Sequence, residues 1–158
     1  MISCLSQLAC SQSKLELAVN AALDFSVDTI DVEILKEYIA DDQSLIILDT
    51  RSEKEFNMSH IEGARFIDYD NFSKQSLSDV DPDSRIVTYC SIGYRSEKIA
   101  EKLEELGFSN VNNLYGGIFE WKNSGNPVVN QEGNETDTVH TYNRIWSFFL
   151  TNGIRTYD

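Results

Sequence analysis

One stretch of the chain, residues 85–114, constrains the fold most because it has the pattern strand, helix, strand. Residues 85–89 and 111–114 are short segments that we assign as buried strands. Between them, residues 96–106 repeat apolar side chains at helical spacing, and Gly107 follows as a C-cap. This order forms a βαβ unit, which predicts an α/β fold with a parallel sheet.

Further elements extend this unit on both sides. Residues 45–48 (Leu-Ile-Ile-Leu) are apolar throughout, as expected for another strand that is covered on both faces. Residues 31–40 start with an N-capping Asp31 and place their apolar side chains on one helical face. The pair Gly116-Gly117 indicates a turn that opens another short helix. We therefore expect a parallel sheet flanked by helices on both faces.

The chain has 158 residues, which fits a single domain with extended ends. We expect an N-terminal extension at 1–28 with a short helix over 14–23, and a domain body at 29–129. Residues 130–158 are predicted to form a loop and then a helix over 139–150 that packs on the domain. That helix is inferred from the helical spacing of its large apolar residues, which are Tyr142, Ile145, Trp146 and Phe149.

The chain is strongly acidic, with 13 Lys and Arg against 26 Asp and Glu and a formal net charge of −13. A broad contact with a phosphate backbone needs basic surface, so we expect no nucleic-acid partner. Any anion site must instead be built from local hydrogen-bond donors.

The sequence predicts no membrane span, because no apolar run approaches the required length of about 20 residues. The first ten residues lack the basic region and the long apolar core of a signal peptide. We expect a cytoplasmic protein, with an exported or lipid-anchored form as the alternative if these residues are the remainder of a truncated signal.

Three cysteines occur, Cys4, Cys10 and Cys90, without a CxxC pair or an accompanying histidine cluster. This pattern indicates neither a disulfide framework nor a zinc site, and we expect no metal and no cofactor. Cys90 is alone in the body of the chain, and a lone cysteine is more often a small buried hydrophobic residue than a reactive one.

The surroundings of Cys90 reverse that interpretation. Cys90 lies at the carboxyl end of a predicted strand and before a predicted helix, where open α/β sheets place their ligand crevices. Backbone N–H groups of the following loop and the helix N-terminus would point inward as an anion-binding nest, which Gly93 permits by its conformational freedom. Arg95 can hold two oxygens at once, and its charge favours the thiolate. The substrate-binding candidates of this loop are Ser91, Ile92, Gly93, Tyr94 and Arg95.

Four separated motifs then resemble the rhodanese family in their order and spacing, over residues 29–129. They are Leu-Asp-Thr-Arg at 48–51 with Glu-Phe at 55–56, His-Ile-Glu-Gly-Ala at 60–64, Cys-Ser-Ile-Gly-Tyr-Arg-Ser at 90–96, and Leu-Tyr-Gly-Gly at 114–117 with Trp121. The resemblance implies a rhodanese-like fold with additional helical segments at both ends. It also implies that Cys90 attacks the outer sulfur of a small-molecule or protein donor, becomes a persulfide, and passes that sulfur to a thiol or cyanide acceptor.

The resemblance assigns roles to the residues around the cysteine. Backbone N–H groups of residues 91–95 would hold the charged terminal sulfur, and Arg95 would meet an anionic donor or leaving group. Asp49, Arg51 and Ser96 would support the loop, the first two through hydrogen bonds and an ion pair for which Glu55 is a further candidate partner. His60 is expected to be a capping or packing residue.

Two alternatives to a sulfurtransferase remain. A phosphatase or arsenate reductase is disfavoured because four residues separate Cys90 from Arg95, whereas relatives that hydrolyse phosphate esters typically have a longer, wider loop. A non-catalytic rhodanese-like module whose tail helix docks a partner is disfavoured by the intact Cys90 loop. Since Ser91, Ile92 and Tyr94 add no positive charge, a persulfide or protein-bound donor suits the loop better than the thiosulfate dianion. The physiological donor and acceptor and the oligomeric state stay open.

Overall fold

The computed structural model describes residues 12–41 and 44–157 of the chain. At its centre is a five-stranded parallel sheet in the order β1-β5-β4-β2-β3. Because β4 lies in the middle of this order, the residue that follows it reaches the carboxyl edge of the sheet between two neighbouring strands. The strands are β1 (Thr29–Ile30), β2 (Ile46–Asp49), β3 (Arg65–Phe66), β4 (Ile86–Tyr89) and β5 (Val111–Leu114).

Helices connect and cover these strands, and their ends are fixed by local hydrogen bonds. Asp31 caps α2 by accepting a hydrogen bond from the N–H of Ile34 at 2.9 Å. Ser52 and Glu55 form a capping box at the start of α3. The helices are α1 (Lys14–Ala22), α2 (Val32–Asp41), α3 (Glu53–Met58), α4 (Tyr94–Glu105) and α5 (Gly117–Asn123), with a 3₁₀ helix at Lys74–Leu77.

The sheet separates two hydrophobic cores. Ile47 and Leu48 are neighbours in β2 and therefore point to opposite faces. Ile47 packs in a core with residues of α1, α2 and α5, and Leu48 packs in a core with residues of α4. The structure thus confirms the predicted α/β fold with a parallel sheet and helices on both faces.

The predicted βαβ unit and the predicted strand that precedes it are both present, with small shifts of their ends. Strand β2 is one residue later than the predicted segment 45–48, and β4 begins one residue after Arg85. Helix α4 starts at Tyr94 rather than at Ser96, so it begins directly after the loop that follows Cys90. None of the helices in the described part of the chain is long and apolar enough to cross a membrane.

The segment before β1 is anchored to the domain by apolar and polar contacts. Helix α1 confirms the short helix expected over 14–23, and it buries Leu15 and Val19. The carboxylate of Glu97 on α4 accepts hydrogen bonds from the backbone N–H groups of Asp24 at 3.0 Å and Ser26 at 3.2 Å. Since Glu97 is fully buried, these bonds fix the path of the chain between α1 and β1.

The tail, residues 138–157, does not form the helix predicted over 139–150, and that prediction is wrong. It contains β8 (Thr138–His140), a 3₁₀ helix (Trp146–Phe149) and β9 (Ile154–Thr156), and β8 pairs with β9 in parallel. Tyr142 has a φ of +64°, which interrupts any helix at that point. Before the tail, β6 (Val128–Val129) pairs with β7 (Glu135–Thr136) in an antiparallel ribbon.

Candidate active site

Cys90 follows the central strand β4 and is only 2% exposed. The loop after it ends at Gly93, the N-cap of α4, whose φ of +117° is in the region that favours glycine. The N–H of Gly93 donates to the Cys90 sulfur at 3.2 Å. The sulfur therefore lies at the start of α4, in contact with an amide donor.

Backbone N–H groups of helix α5 donate hydrogen bonds to the carbonyl groups at the start of this loop. The N–H of Ile118 donates to the carbonyl oxygen of Cys90 at 2.9 Å, and the N–H of Phe119 donates to that of Ser91 at 3.2 Å. In a trans peptide group the C=O and the following N–H point in opposite directions. The N–H groups of Ser91 and Ile92 consequently point away from α5, as an anion-binding nest requires.

Two polar side chains hold the end of the loop in the same way. Asn113 of β5 donates from its Nδ2 to the carbonyl oxygen of Gly93 at 3.0 Å. The hydroxyl of Ser96 lies 2.7 Å from Asn113 Oδ1 and 3.0 Å from the Gly93 oxygen, and both side chains are fully buried. Sequence reasoning missed Asn113, although an asparagine inside a predicted buried strand was a signal for a specific polar partner.

Arg95 is held by a carboxylate. Its Nη1 and Nη2 donate to Glu55 Oε2 at 3.0 Å and Oε1 at 2.9 Å, and Nη2 also donates to Ser91 Oγ at 3.2 Å. The side chain of Arg95 is 22% exposed and that of Glu55 is 2% exposed. Glu55 was a candidate partner of the pair between Asp49 and Arg51, and the structure corrects this because Glu55 forms its ion pair with Arg95.

The environment of Glu55 keeps it ionised. Burial by itself raises the pKa of this carboxyl group. The hydrogen bonds and charge of Arg95, the charge of Arg51 and the N–H of Ser52 outweigh burial and lower the pKa to about 2. The Glu55 and Arg95 side chains are therefore a charged pair beside the cysteine loop at neutral pH.

Asp49 and Arg51 form a second ion pair at the carboxyl end of β2, with 2.6 Å between Arg51 Nη2 and Asp49 Oδ2 and neither side chain exposed. The guanidinium also lies over the ring of Tyr89, at 5.8 Å from its centroid. His60 is outside this network. Its ring stacks on Phe56 at 4.0 Å, and its Nδ1 lies 3.0 Å from the Phe56 carbonyl oxygen.

A cavity of about 400 Å³ opens over Cys90. Of the predicted site residues, Gly93 does not line the cavity but donates its N–H to the Cys90 sulfur. Asp49, Arg51 and Ser96 are fully buried and do not line the cavity. Sequence reasoning missed wall residues from outside the loop. The lining residues are Ala22, Tyr69, Asp70, Cys90, Ser91, Ile92, Tyr94, Arg95, Tyr142 and Trp146.

The described ranges 12–41 and 44–157 contain no group of three or more His, Cys, Asp or Glu side chains that could hold a metal ion. Cys90 is the free cysteine of that part of the chain. Cys4 and Cys10 lie outside the described residues.

Known proteins resemble this chain in sequence and in structure. A tRNA uridine(34) hydroxylase of Listeria welshimeri is 39% identical over 82 residues, which cover 49% of this chain and 26% of that protein. The chain thus spans about a quarter of the length of this curated relative. The BH2092 protein of Bacillus halodurans is 26% identical with a TM-score of 0.62, over 67% of this chain and 79% of that one.

A second solved structure carries the family description in its own name. The rhodanese-like domain protein of Staphylococcus aureus is 27% identical with a TM-score of 0.56, and the match covers 63% of this chain and 95% of that one. A family model described as Rhodanese-like domain matches residues 31–124, which is more than half of the chain and includes the cysteine loop. The chain belongs to the rhodanese-like domain family.

Proposed function

We propose that this protein is a sulfurtransferase that carries sulfane sulfur as a persulfide on Cys90. The observation that supports this most directly is the arrangement of the loop around the sulfur. The Gly93 N–H donates to the Cys90 sulfur, and the carbonyl groups of Cys90, Ser91 and Gly93 bond outwards. The loop can therefore direct several N–H groups at a negative charge that develops just beyond Cys90.

The chemical cycle needs a sulfur that changes its partner twice. The Cys90 thiolate attacks the outer sulfur of a donor, the donor's S–S bond breaks, and the inner sulfur leaves with the electron pair. Cys90 then carries a terminal sulfur with one negative charge. An acceptor thiolate attacks this terminal sulfur and forms an S–S bond with it. The bond between the terminal sulfur and the Cys90 sulfur breaks, and its electron pair regenerates the Cys90 thiolate.

In this cycle, Arg95 acts on the loop rather than on a free anion. Its two terminal nitrogens are engaged by Glu55, and one of them also contacts Ser91. A bidentate pair of this kind fixes the guanidinium plane and balances its charge. We therefore place Arg95 and Glu55 as positioning residues that keep the Ser91 side of the cradle in place.

The name of the Listeria welshimeri relative refers to an activity on tRNA, but we do not extend this activity to the present chain. The match covers 26% of that protein. The net charge of −13 also disfavours an extended contact with a phosphate backbone. A cavity wall that includes Cys90 itself supports a reactive site over a purely non-catalytic interaction module.

The proposal is tested by intact-mass spectrometry after incubation with thiosulfate, an alkyl persulfide or a thiosulfonate. The wild-type protein should gain one sulfur atom, and cyanide should remove it. A variant with Cys4→Ser and Cys10→Ser should gain the sulfur as the wild type does, whereas Cys90→Ser should not. The proposal fails if the wild type gains no sulfur from any donor or if Cys90→Ser gains it equally well. A generic phosphate ester assayed in parallel tests the phosphatase alternative.

A further inference from the structure

Part of the wall of the cavity above Cys90 is supplied by segments outside the part of the chain that matches the family model. That model matches residues 31–124. Ala22 ends α1, which precedes the matched region, and Tyr142 and Trp146 belong to the tail, which follows it. Three of the ten lining residues therefore come from the flanking segments, and the matched region supplies the other seven, which include the cysteine loop.

These wall side chains are mostly apolar or aromatic. Six of the ten lining residues are Ala22, Tyr69, Ile92, Tyr94, Tyr142 and Trp146. The ring of Trp146 lies 5.5 Å from the ring of Phe149, and both partly buried rings pack against the core, which supports this part of the wall. Aromatic faces of this kind bind flat or apolar groups by stacking and by removal of water from both surfaces.

The charge of the cavity wall does not suit a dianion. Among its ten described lining residues, Arg95 is the cation, and the buried Glu55 carboxylate holds it by two hydrogen bonds. Asp70 adds a negative charge to the same wall. An inorganic dianion would lose its water on entering without gaining an unpaired positive charge.

The size of the cavity also favours an organic donor over an inorganic ion. Its volume of about 400 Å³ is in the range of pockets that bind organic ligands, roughly 300–1,000 Å³. An inorganic ion such as thiosulfate would contact the loop and leave most of the aromatic wall unused. The wall can instead contact the organic part of a donor while its outer sulfur is at Cys90.

We infer that this site accepts an organic sulfur donor with an aromatic or apolar body in preference to an inorganic one, and that Trp146 and Tyr142 determine this selectivity. The inference rests on the proposed sulfurtransferase function and names the donor class for the same site.

Two donors with the same reactive group test the inference. Benzenethiosulfonate and methanethiosulfonate each carry one negative charge and differ in the organic group. The Cys90 thiolate attacks the outer sulfur of either one, the S–S bond breaks, and the sulfinate leaves with the electron pair. We would measure the second-order rate of persulfide formation, locate the sulfur at Cys90 by peptide mapping, and divide each rate by that of free cysteine with the same donor.

The normalised rate should be at least about tenfold higher for benzenethiosulfonate than for methanethiosulfonate, and thiosulfate should be slowest. We call the normalised rate with benzenethiosulfonate divided by that with methanethiosulfonate the benzene-to-methane ratio. Trp146→Ala and, separately, Tyr142→Ala should reduce this ratio. Phe148→Ala is the matched control, because Phe148 is in the same 3₁₀ helix, is 65% exposed and does not line the cavity. It should keep the wild-type ratio.

Each outcome decides one of the two proposals. A wild-type ratio near one, or a ratio that neither Trp146→Ala nor Tyr142→Ala changes, overturns the inferred selectivity while persulfide formation still supports the sulfurtransferase. Failure to form a persulfide with these three donors and with the alkyl persulfide overturns the proposed function and the selectivity with it. Because Tyr142 is 56% exposed, its variant gives a readout even if Trp146→Ala folds poorly.

Discussion

Gly117 approaches the carbonyl group of Cys90 so closely that no side chain fits between them. A Cβ on Gly117 would overlap the Cys90 oxygen and would lie 2.8 Å from the carbonyl carbon of Ser91. The next residue, Ile118, donates its N–H to the same Cys90 oxygen at 2.9 Å. The position of the candidate nucleophile is therefore set by direct backbone contact with α5.

Gly117→Ala should destabilise the protein and slow persulfide formation. The new methyl group would push the loop away from α5, at a loss of about 1–3 kcal/mol. The φ of +53° at Gly117 adds about 1 kcal/mol of backbone strain. Denaturant unfolding would measure the stability, and mass spectrometry would measure the persulfide rate.

Gly125→Ala separates these two effects. Gly125 has a φ of +85°, but a Cβ there would meet nothing within 4 Å. This variant should show the backbone strain alone and keep the wild-type rate of persulfide formation. Equal losses of stability in the two variants, with a wild-type rate in Gly117→Ala, would contradict the role of α5 in placing Cys90.

Glu55→Gln should reduce the free energy of unfolding at neutral pH. The substitution preserves shape but leaves the Arg95 guanidinium beside a neutral amide, and the loss should be on the order of 1–3 kcal/mol. Urea unfolding at pH 7 would measure it. Glu53→Gln, at an exposed position on the same helix α3, is the control and should change stability by at most about 0.5 kcal/mol.

The same variant should show a defined pH dependence. The pKa of Glu55 in the folded protein is about 2, below its ordinary value of 4.5. A lowered pKa stabilises the folded state above pH 4.5, and this stabilisation is lost as the pH falls towards 2. The stability difference between wild type and Glu55→Gln should therefore be constant above about pH 5 and shrink below it. A difference that stays unchanged down to pH 2 would exclude the charge of Glu55 as its source.

The cysteine loop was predictable from the sequence because its signals are local. The strand before Cys90 and the helix after it are adjacent segments, and the spacing of apolar side chains in each identifies one as a strand and the other as a helix. The partner of Arg95 was not predictable in this way. Glu55 is forty residues from Arg95, and two arginines, Arg51 and Arg95, were available to it. Only the packing of α3 against the loop decides between them.

The tail shows a different limit of sequence reasoning. The aromatic residues of the segment 139–150 have helical spacing, but β8 finds its hydrogen-bonding partner in β9, which is farther along the chain. Asn143 also competes with a helix, because its Oδ1 accepts from the N–H groups of Ile145 and Trp146 at 2.9 and 3.1 Å. Of the four residues with helical spacing, Trp146 and Phe149 pack against the core, whereas Tyr142 and Ile145 are exposed. The nonlocal pairing of β8 with β9 determined the conformation of this segment.

Asn113→Asp should weaken the anchor at the end of the cysteine loop. The carboxylate would lose the N–H donor to the Gly93 oxygen and bring a negative charge to a fully buried position. We expect a loss of about 1–3 kcal/mol in unfolding free energy and a slower persulfide reaction. Asn112→Asp, the same change on the same strand at a partly exposed position, should have the smaller effect on both. Equal effects of the two substitutions would show that the Asn113 contact does not hold the loop.

The tail should stabilise the domain as well as shape the cavity. Leu150 is fully buried and belongs to the same core as Ile47, so Leu150→Ala should reduce the unfolding free energy by about 2–5 kcal/mol. Phe148→Ala removes an exposed ring two residues away and should change it by at most about 0.5 kcal/mol.

Leu150→Ala should also affect donor selectivity at temperatures where the variant remains folded. Leu150 directly follows the 3₁₀ helix that carries Trp146. The empty space that the shorter alanine leaves in the core should therefore weaken the packing that holds this part of the wall. The benzene-to-methane ratio should fall, although Leu150 itself does not line the cavity. A destabilised Leu150→Ala protein with the wild-type ratio would show that the wall holds its shape independently of this core contact.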